Sequence, residues 1–444
     1  MRIGNQAALQ ELAERINQAD AVVIGGGSGL SSAAGYDHYH WSPALSEALA
    51  PFREQYGFTS PLAGFYHCFS SYGEQWGYYS QYMRFMWEAP TGQPYLDLQA
   101  QVATSDSLVM HYLQQQGIPV TANNEVKLLM SGREKFLDLF EEIRHAKHHI
   151  HLEYFNFRND SIANALFDLL AIKVQEGVEV RALFDAFGNW SNSKPLKKHH
   201  LKAIRDRGIE IVKFDPITFP WINHAMHRDH RKIVVIDGKI GYTGGMNIAD
   251  YYITGLPKIG QWHDMHMRIE GDAVRYLQGI FLTMWNQETK QHIGGPVYFP
   301  DIPQLPDSIA EEIAIVDRTP RETPRSISHA YAASIGAAQH SIQIVNPYFV
   351  PTKSIRKAIK HALKKGTEVE IMIPAVSDIP FTPEASFYIV HKLMKKGAKV
   401  YLFNGGFHHS KIMMVDRNFC TVGTANLNSR SLLYDFETNA FIFD

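Results

Sequence analysis

Two histidine–lysine pairs have the residue types and spacing to do chemistry. His230-Arg231-Lys232 runs into Ile-Val-Val-Ile and Asp237, with Gly244 and Asn247 beyond. His409-Ser410-Lys411 runs into Ile-Met-Met-Val and Asp416, with Gly423 and Asn426 at the same offsets. Both copies fit H-x-K-x4-D-x6-G-x2-N. Alternation along a strand puts the histidine and lysine of each copy on one face, and the apolar tetrapeptide is the buried strand that holds them. The lysine supplies positive charge and the asparagine an amide donor. That set suits an anionic phosphoryl group whose charge spreads over its non-bridging oxygens. Two histidines allow a division of labour, one attacking phosphorus and the other protonating the leaving oxygen. Two lysines and two asparagines already offset the charge, so neither a metal nor a cofactor is expected. Each histidine needs a carboxylate to fix its tautomer. Trp262-His-Asp264-Met-His266 and Tyr434-Asp435-Phe-Glu437 supply candidates, of which Glu437 and Asp264 are preferred. Asp237 and Asp416 belong to the repeated pattern and so to the candidate site, yet they fall at Asp-Gly and Asp-Arg turns, where aspartate reads as structural.

A longer repeat surrounds the two motifs. His149–Phe157 resembles Ser341–Phe349, each an apolar strand. Each is followed by a helical stretch and a Gly-x-x-Val strand, Glu176–Phe184 in one copy and Lys365–Ile373 in the other. A second helix–Gly–strand unit follows in both, Leu201–Phe214 around Gly208 and Val390–Phe403 around Gly397. Strands alternating with helices predict an α/β fold of two similar halves with mostly parallel sheets. The halves are placed at 107–318 and 319–444, joined by a Pro- and Asp-rich connector, Gly294–Pro324. Ahead of them, residues 1–105 read differently. Ala7–Gln18 has the spacing of an amphipathic helix, Ala21–Ile24 that of a short strand, and Gly25-Gly-Gly-Ser-Gly29 that of a tight turn, together an incomplete Rossmann-like segment.

Composition narrows the classes. At 444 residues with 45% hydrophobic and 20% charged, the chain buries sizeable cores and is not disordered. A net charge of −2 gives no sign of a nucleic-acid binder, and no nucleic-acid partner is expected. Two cysteines, Cys68 and Cys420, exclude a disulfide framework and favour a reducing compartment. No apolar run reaches the roughly 18 residues of a spanning helix, and no signal peptide opens the chain. The averages hide a seam near residue 100. Residues 1–100 hold no lysine, four arginines against nine acids, and 17 aromatics, whereas the remainder is lysine-rich. His148, His149, His151 and the pair His199-His200 lack metal-ligand spacing and read as core or solvated residues. The basic stretch Lys194–Lys202 reads as a solvated face that could also dock an anionic membrane.

The second part of the chain resembles the phospholipase D superfamily and, within it, the bacterial cardiolipin synthases. The resemblance covers about 106–444, through Asn123–Leu129, His148–Tyr154, His230–Asp250, Trp262–Gly271, Ile344–Pro351, Pro374–Asp378 and Gly406–Ser431. It implies transfer of a phosphatidyl group between two phosphatidylglycerol molecules through a phosphohistidine, giving cardiolipin and glycerol. His230 would be the nucleophile and His409 the general acid/base, although the symmetry of the repeat leaves that order open. The implied partners are phosphatidylglycerol, other anionic phospholipids and a membrane surface. The implied location is the bacterial cytoplasm, peripheral to the inner face of the cell membrane. Members of that family commonly begin with hydrophobic spanning segments and continue past the glutamate motif. Here a different segment stands first, and the chain ends at Asp444. The rival readings are a phospholipase D-type hydrolase, a nuclease and a non-enzymatic scaffold.

Residues 1–99 are similar to another family. Asp20-Ala-Val-Val-Ile24 followed by Gly27-Ser-Gly-Leu-Ser-Ser-Ala-Ala-Gly35 resembles the first nucleotide-binding loop of the sirtuins. A glycine turn at a helix N-terminus is an anion cradle. The match fades near Leu98, without the catalytic histidine or the zinc cysteines, so neither deacylase activity nor stable NAD binding is expected.

Overall fold

The computed structural model describes residues 37–88, 104–216, 226–306 and 308–443. The chain divides into two compact units, 1–103 and 104–444. In the first, the helices Pro43–Ala48, Ala50–Tyr56 and Tyr72–Glu88 and the 3-10 turn Pro61–Phe65 close around an aromatic core. Tyr78 is fully buried there, edge-on to Phe52, Phe58 and Phe65 with ring centroids 5.3 to 5.6 Å apart. A Cβ at Gly64 would meet the Tyr78 ring at 2.2 Å, so glycine is required at that contact. Part of the aromatic surplus of the first hundred residues thus goes into packing, while Tyr39, Tyr66, Tyr72 and Trp76 stay exposed. The strand and glycine turn expected at 21–35 lie outside the described residues.

Among the described residues the second unit carries sixteen strands in the order of the repeat. The first half holds β1 (Val120–Leu129), β2 (His149–Tyr154), β3 (Glu179–Asp185), β4 (Glu210–Phe214), β5 (Lys232–Ile236), β6 (Ile240–Gly244), β7 (Trp262–His263) and β8 (His266–Gly271). The second holds β9 (Glu311–Arg318), β10 (Ser341–Val345), β11 (Glu368–Pro374), β12 (Lys399–Phe403), β13 (Phe407–His408), β14 (Ile412–Val415), β15 (Phe419–Gly423) and β16 (Glu437–Phe443). Fourteen of these form one sheet. From its centre outward, one side reads β1-β8-β6-β5-β2-β3-β4 and the other β9-β16-β15-β14-β10-β11-β12. The two orders match strand for strand, so the sequence repeat is a structural pseudo-twofold about the β1–β9 pair. Strand β9 lies inside the expected connector and takes in the second half the place of β1 in the first.

The α/β character and the two similar halves agree with the sequence reading, but the expected mostly parallel sheets do not. Of the thirteen pairings in the sheet, nine are antiparallel. Parallel pairing is confined to β2–β3–β4 and β10–β11–β12, where helices supply the crossovers that parallel strands need. The motif strands are instead hairpins. Asp237 and Gly238 have φ of 53° and 67°, and Asp416 and Arg417 have 52° and 63°. Two consecutive left-handed residues turn β5 into β6 and β14 into β15 with the twist that hairpins favour.

The apolar tetrapeptide explains why β5 sits deep, whereas in β14 the expected burial is one-sided, with Met413 and Val415 buried and Met414 exposed. In β5, Val234 and Ile236 pack with Phe136 and Leu152, whereas Ile233 and Val235 pack with Met267, Val274 and Leu277 on the other face. A strand covered on both faces reads as a continuous apolar run, and each such side chain contributes about 1.5–3 kcal/mol by leaving water. Among the described residues no helix is long and apolar enough to cross a membrane.

Candidate active site

The pseudo-twofold brings the two motifs to one cavity of about 740 Å3, lined by His230, Asn247, His409 and Asn426 and walled by Phe155, Tyr251, Trp262 and Tyr348. Each histidine stands just before its motif strand and is tied by its backbone to the opposite half. His230 N donates to Phe436 O at 3.0 Å, and His409 N to His263 O at 2.6 Å. Those carbonyls belong to the residues just before Glu437 and Asp264, so the same contact aims each carboxylate at a histidine. Nδ1 of His230 lies 3.0 and 3.1 Å from the two Glu437 oxygens. Nδ1 of His409 lies 2.7 Å from Asp264 Oδ2. Both carboxylates preferred from sequence are therefore in contact with a histidine, each with the one from the other half.

Lys232 and Lys411 are buried, and each ammonium donates to the carbonyl of its own motif histidine. The Lys411 ammonium also lies 2.8 Å from Nδ1 and 3.1 Å from Nε2 of His409. Asn247 and Asn426 each present an Oδ1 that is buried without a hydrogen-bond partner among the described residues. An amide turned by 180° would offer its NH2 there instead. Unmatched buried polar atoms are costly, and both asparagines line the cavity.

Burial governs the electrostatics. It pushes His230 down to about 4, against the pull of Glu437 and with the help of Lys232. It pushes Lys232 down to about 7 and Lys411 to about 8, although Glu437 and Asp264 work the other way. His409 is lowered by burial and by Lys411, with Asp264 opposing. Burial would raise Asp264 and Glu437, but the cations beside them prevail and hold both below the usual carboxylate range. Both carboxylates are thus charged at neutral pH.

Asp237 and Asp416, placed in the candidate site by their motif positions, do not line the cavity. Asp237 accepts the N–H groups of Lys147, His148 and His149 at 2.7, 2.7 and 3.0 Å. Asp416 accepts those of Gln339, His340 and Ser341 at 2.8, 2.7 and 2.7 Å. Each carboxylate therefore ties a motif hairpin to the entry of the neighbouring strand, β2 or β10, as the turn reading anticipated. The expected outcome of Asp237→Ala is a stability loss of about 2–4 kcal/mol from three backbone donors left without their acceptor. Denaturant melts measure the loss, and kcat of the folded fraction should change much less.

Sequence reasoning missed three supports of the site. Thr424 donates to Glu437; its counterpart in the first half is Gly245, where a Cβ would meet Asp264 Oδ1 at 2.1 Å. The shorter acid faces the glycine and the longer one the threonine, a pairing that alignment of the two motifs could have suggested. Lys135 is buried and donates to Met246 O and Asn247 O at 3.0 and 3.2 Å, pinning the backbone that carries Asn247. Tyr348 donates to Asp378 at 2.6 Å, and its ring stands 5.7 Å from that of His409. No local sequence signal marks the last two. Of the histidines read as non-metal residues, His149 and His151 are core, with Gln278 between them at 3.0 and 2.9 Å, whereas His148 and His199 are exposed and His200 is half-buried.

The two-halved sheet and its doubled His-x-Lys cavity define a protein of phospholipase D type. The family model described as "Cardiolipin synthase, PLD-like domain" matches residues 139–285 and 331–444. The cardiolipin synthase of Geobacillus sp. (strain WCH70) is 39% identical over 327 residues, 73% of this chain and 64% of that protein. That of Staphylococcus aureus (strain N315) is 39% identical over 347 residues, 78% of this chain and 69% of that protein. The chain belongs to the cardiolipin synthase family with phospholipase D-like domains, and it spans about two thirds of the length of these relatives. Among solved structures, a phosphatidylserine synthase of Haemophilus influenzae Rd KW20 superposes with a TM-score of 0.57 over 76% of this chain and 86% of that one. At 15% identity that likeness shows the fold. The family match begins at residue 139, and these comparisons give the sirtuin resemblance of the first hundred residues no support.

Proposed function

We propose that the chain is a phosphatidyltransferase that joins two phosphatidylglycerol molecules into cardiolipin and releases glycerol. One observation carries the reading. Two histidines share a cavity, and each has its Nδ1 held by a carboxylate from the opposite half. A carboxylate on Nδ1 keeps the proton there and leaves Nε2 as the working edge.

His230 is the nucleophile. It is neutral at pH 7, and its Nε2 has no hydrogen-bond partner among the described residues. Its Nε2 attacks phosphorus, the bond to the glycerol head group breaks, and His409, which enters this step protonated on both ring nitrogens, gives that oxygen its Nε2 proton, so glycerol leaves and His409 is left neutral. His409 then takes the proton from a glycerol hydroxyl of the second phosphatidylglycerol. That oxygen attacks phosphorus, the P–N bond breaks, and the His230 lone pair is restored. Lys232, Lys411, Asn247 and Asn426 offset the charge on the non-bridging oxygens. Asp264 and Glu437 orient the histidines, and Asp237 and Asp416 act on the scaffold alone. The substrates are drawn from a membrane surface, which we place at the inner face of the bacterial cell membrane.

The test is product analysis with phosphatidylglycerol vesicles as sole substrate. Cardiolipin and glycerol in equal amounts are expected; phosphatidic acid without cardiolipin would assign a hydrolase instead. A pH profile provides a second check. On the alkaline side kcat/KM should fall as His409 loses its acid proton, which burial and Lys411 make easier, and fall further as Lys232 and Lys411 lose their charge through about 7 and 8. It should fall again on the acid side as His230 protonates near pH 4. For the first hundred residues we keep the reading of a truncated sirtuin-like segment without stable NAD binding, supported by the Gly27–Gly35 loop and by Cys68 being the one cysteine there. Binding heat on titrating NAD into the full-length chain would overturn it.

A further inference from the structure

A second groove, of about 420 Å3, lies between the helices Lys353–Lys365 and Thr382–Met394. Its walls are Lys353, Arg356, Lys357, Lys360 and Lys392, and its floor is Ile389 and Leu393. The helix Lys353–Lys365 carries six lysines and arginines and no acid. Its apolar positions Ile355, Ile359 and Ala362 face the core, which leaves the cations on the outer side. The stretch 382–396 adds Lys395 and Lys396 to Lys392, against one acid, Glu384. No carboxylate pairs with the five cations of the groove among the described residues. Like charges gathered without counter-charges repel one another, so the arrangement is stabilised by an anionic partner.

The segment that leads into the second helix is apolar and exposed. Val376, Ile379 and Phe381 are 44%, 48% and 83% exposed, and Tyr388 and Met394 are 60% and 50%. Phe381 adopts φ of 64°, a left-handed conformation that costs a residue with a side chain about 1 kcal/mol or more. Ile379, Pro380 and Phe381 also line the mouth of the catalytic cavity. Cations beside exposed aromatic and aliphatic side chains are the pattern of a surface that lies in the interface of an anionic bilayer.

We propose that this face, the basic groove of 353–392 with the apolar loop Val376–Phe381, docks the protein on an anionic lipid bilayer and sets the mouth of the catalytic cavity against it. The lysines meet phosphate groups of the headgroup layer, and Ile379 and Phe381 enter the acyl boundary. The other basic stretch, Lys194–Lys202, does not line this groove. The proposal specifies where the bilayer of the proposed transfer reaction sits, and docking does not itself depend on which product is made.

The experiment is co-sedimentation of the full-length chain with vesicles of phosphatidylglycerol and phosphatidylcholine, or of phosphatidylcholine alone, with turnover on detergent-micellar phosphatidylglycerol measured in parallel. The parent chain should sediment with the anionic vesicles only, and less as salt is raised. The double variant Lys357→Glu/Lys360→Glu should partition at least about 25-fold more weakly, roughly fivefold for each cation removed, while keeping its micellar turnover. Lys198→Glu/Lys202→Glu should sediment like the parent. Unchanged sedimentation of the first double variant, or its loss in the second, overturns the proposal. So does loss of binding to a DNA oligonucleotide, but not to vesicles, in the first double variant, which would assign the groove to nucleic acid. A parent chain that docks through these lysines yet makes no cardiolipin would remove the transfer reading and leave the docking face in place.

Discussion

His230→Ala lowers turnover of phosphatidylglycerol by roughly 10⁴–10⁶-fold, because the group that forms the covalent intermediate is lost and the ring of His409 carries the Lys411 ammonium. His409→Ala lowers it by roughly 10²–10⁴-fold, the range for loss of a positioned acid/base. The two differ in more than magnitude. A phosphatidyl ester with a good leaving group needs no proton in the first step, so it still loads His230 in the His409→Ala variant. The adduct then persists, because nothing activates the incoming alcohol. Acid-labile phosphohistidine at residue 230, found by mass spectrometry of peptides kept at alkaline pH, is the expected result. The adduct at residue 409 of the His230→Ala variant would reverse the assignment. The order rests on an asymmetry: His230 is neutral with its Nε2 open, whereas His409 carries the Lys411 ammonium against its ring.

The second large effect belongs to Glu437→Gln. Glutamate accepts the Nδ1 proton of His230 and so leaves Nε2 with its lone pair. The glutamine amide can donate to Nδ1, which moves the ring proton to Nε2 and blocks the attack. The expected loss is roughly 10²–10⁴-fold in kcat, of the size found when a triad carboxylate is replaced by its amide, with little change in KM. Glutamine has the same volume and keeps an acceptor for Thr424, so the melting temperature should move little. Asp264→Asn should act in the same way on His409. A loss of activity matched by an equal loss of folded protein would show that the carboxylates serve packing alone.

Much of this site was legible in the sequence because its parts repeat locally. His-x-Lys needs only strand alternation to place two side chains on one face, and Ile-Val-Val-Ile shows by its composition that the strand is covered on both sides. Asp-Gly and Asp-Arg marked the hairpins, although the helix-rich repeat around them suggested a more parallel sheet than forms. Less legible were Lys135, Thr424 and the Tyr348–Asp378 pair, which matter through contacts with distant segments rather than through their own pattern.

What the sequence alone determined is the inventory: two histidines, two lysines, two asparagines, two candidate carboxylates and the repeat that carries them. What only the tertiary structure decided is the pairing. His230 meets Glu437 across 207 residues, and His409 meets Asp264 across 145. Local patterning acts over one strand or one helical turn, so it cannot say which half supplies a partner. That follows from β1 and β9 meeting at the centre of a single sheet, and from the strand ends Asp229–Phe436 and β13–β7 pairing between halves. The exchange of carboxylates makes neither half complete without the other.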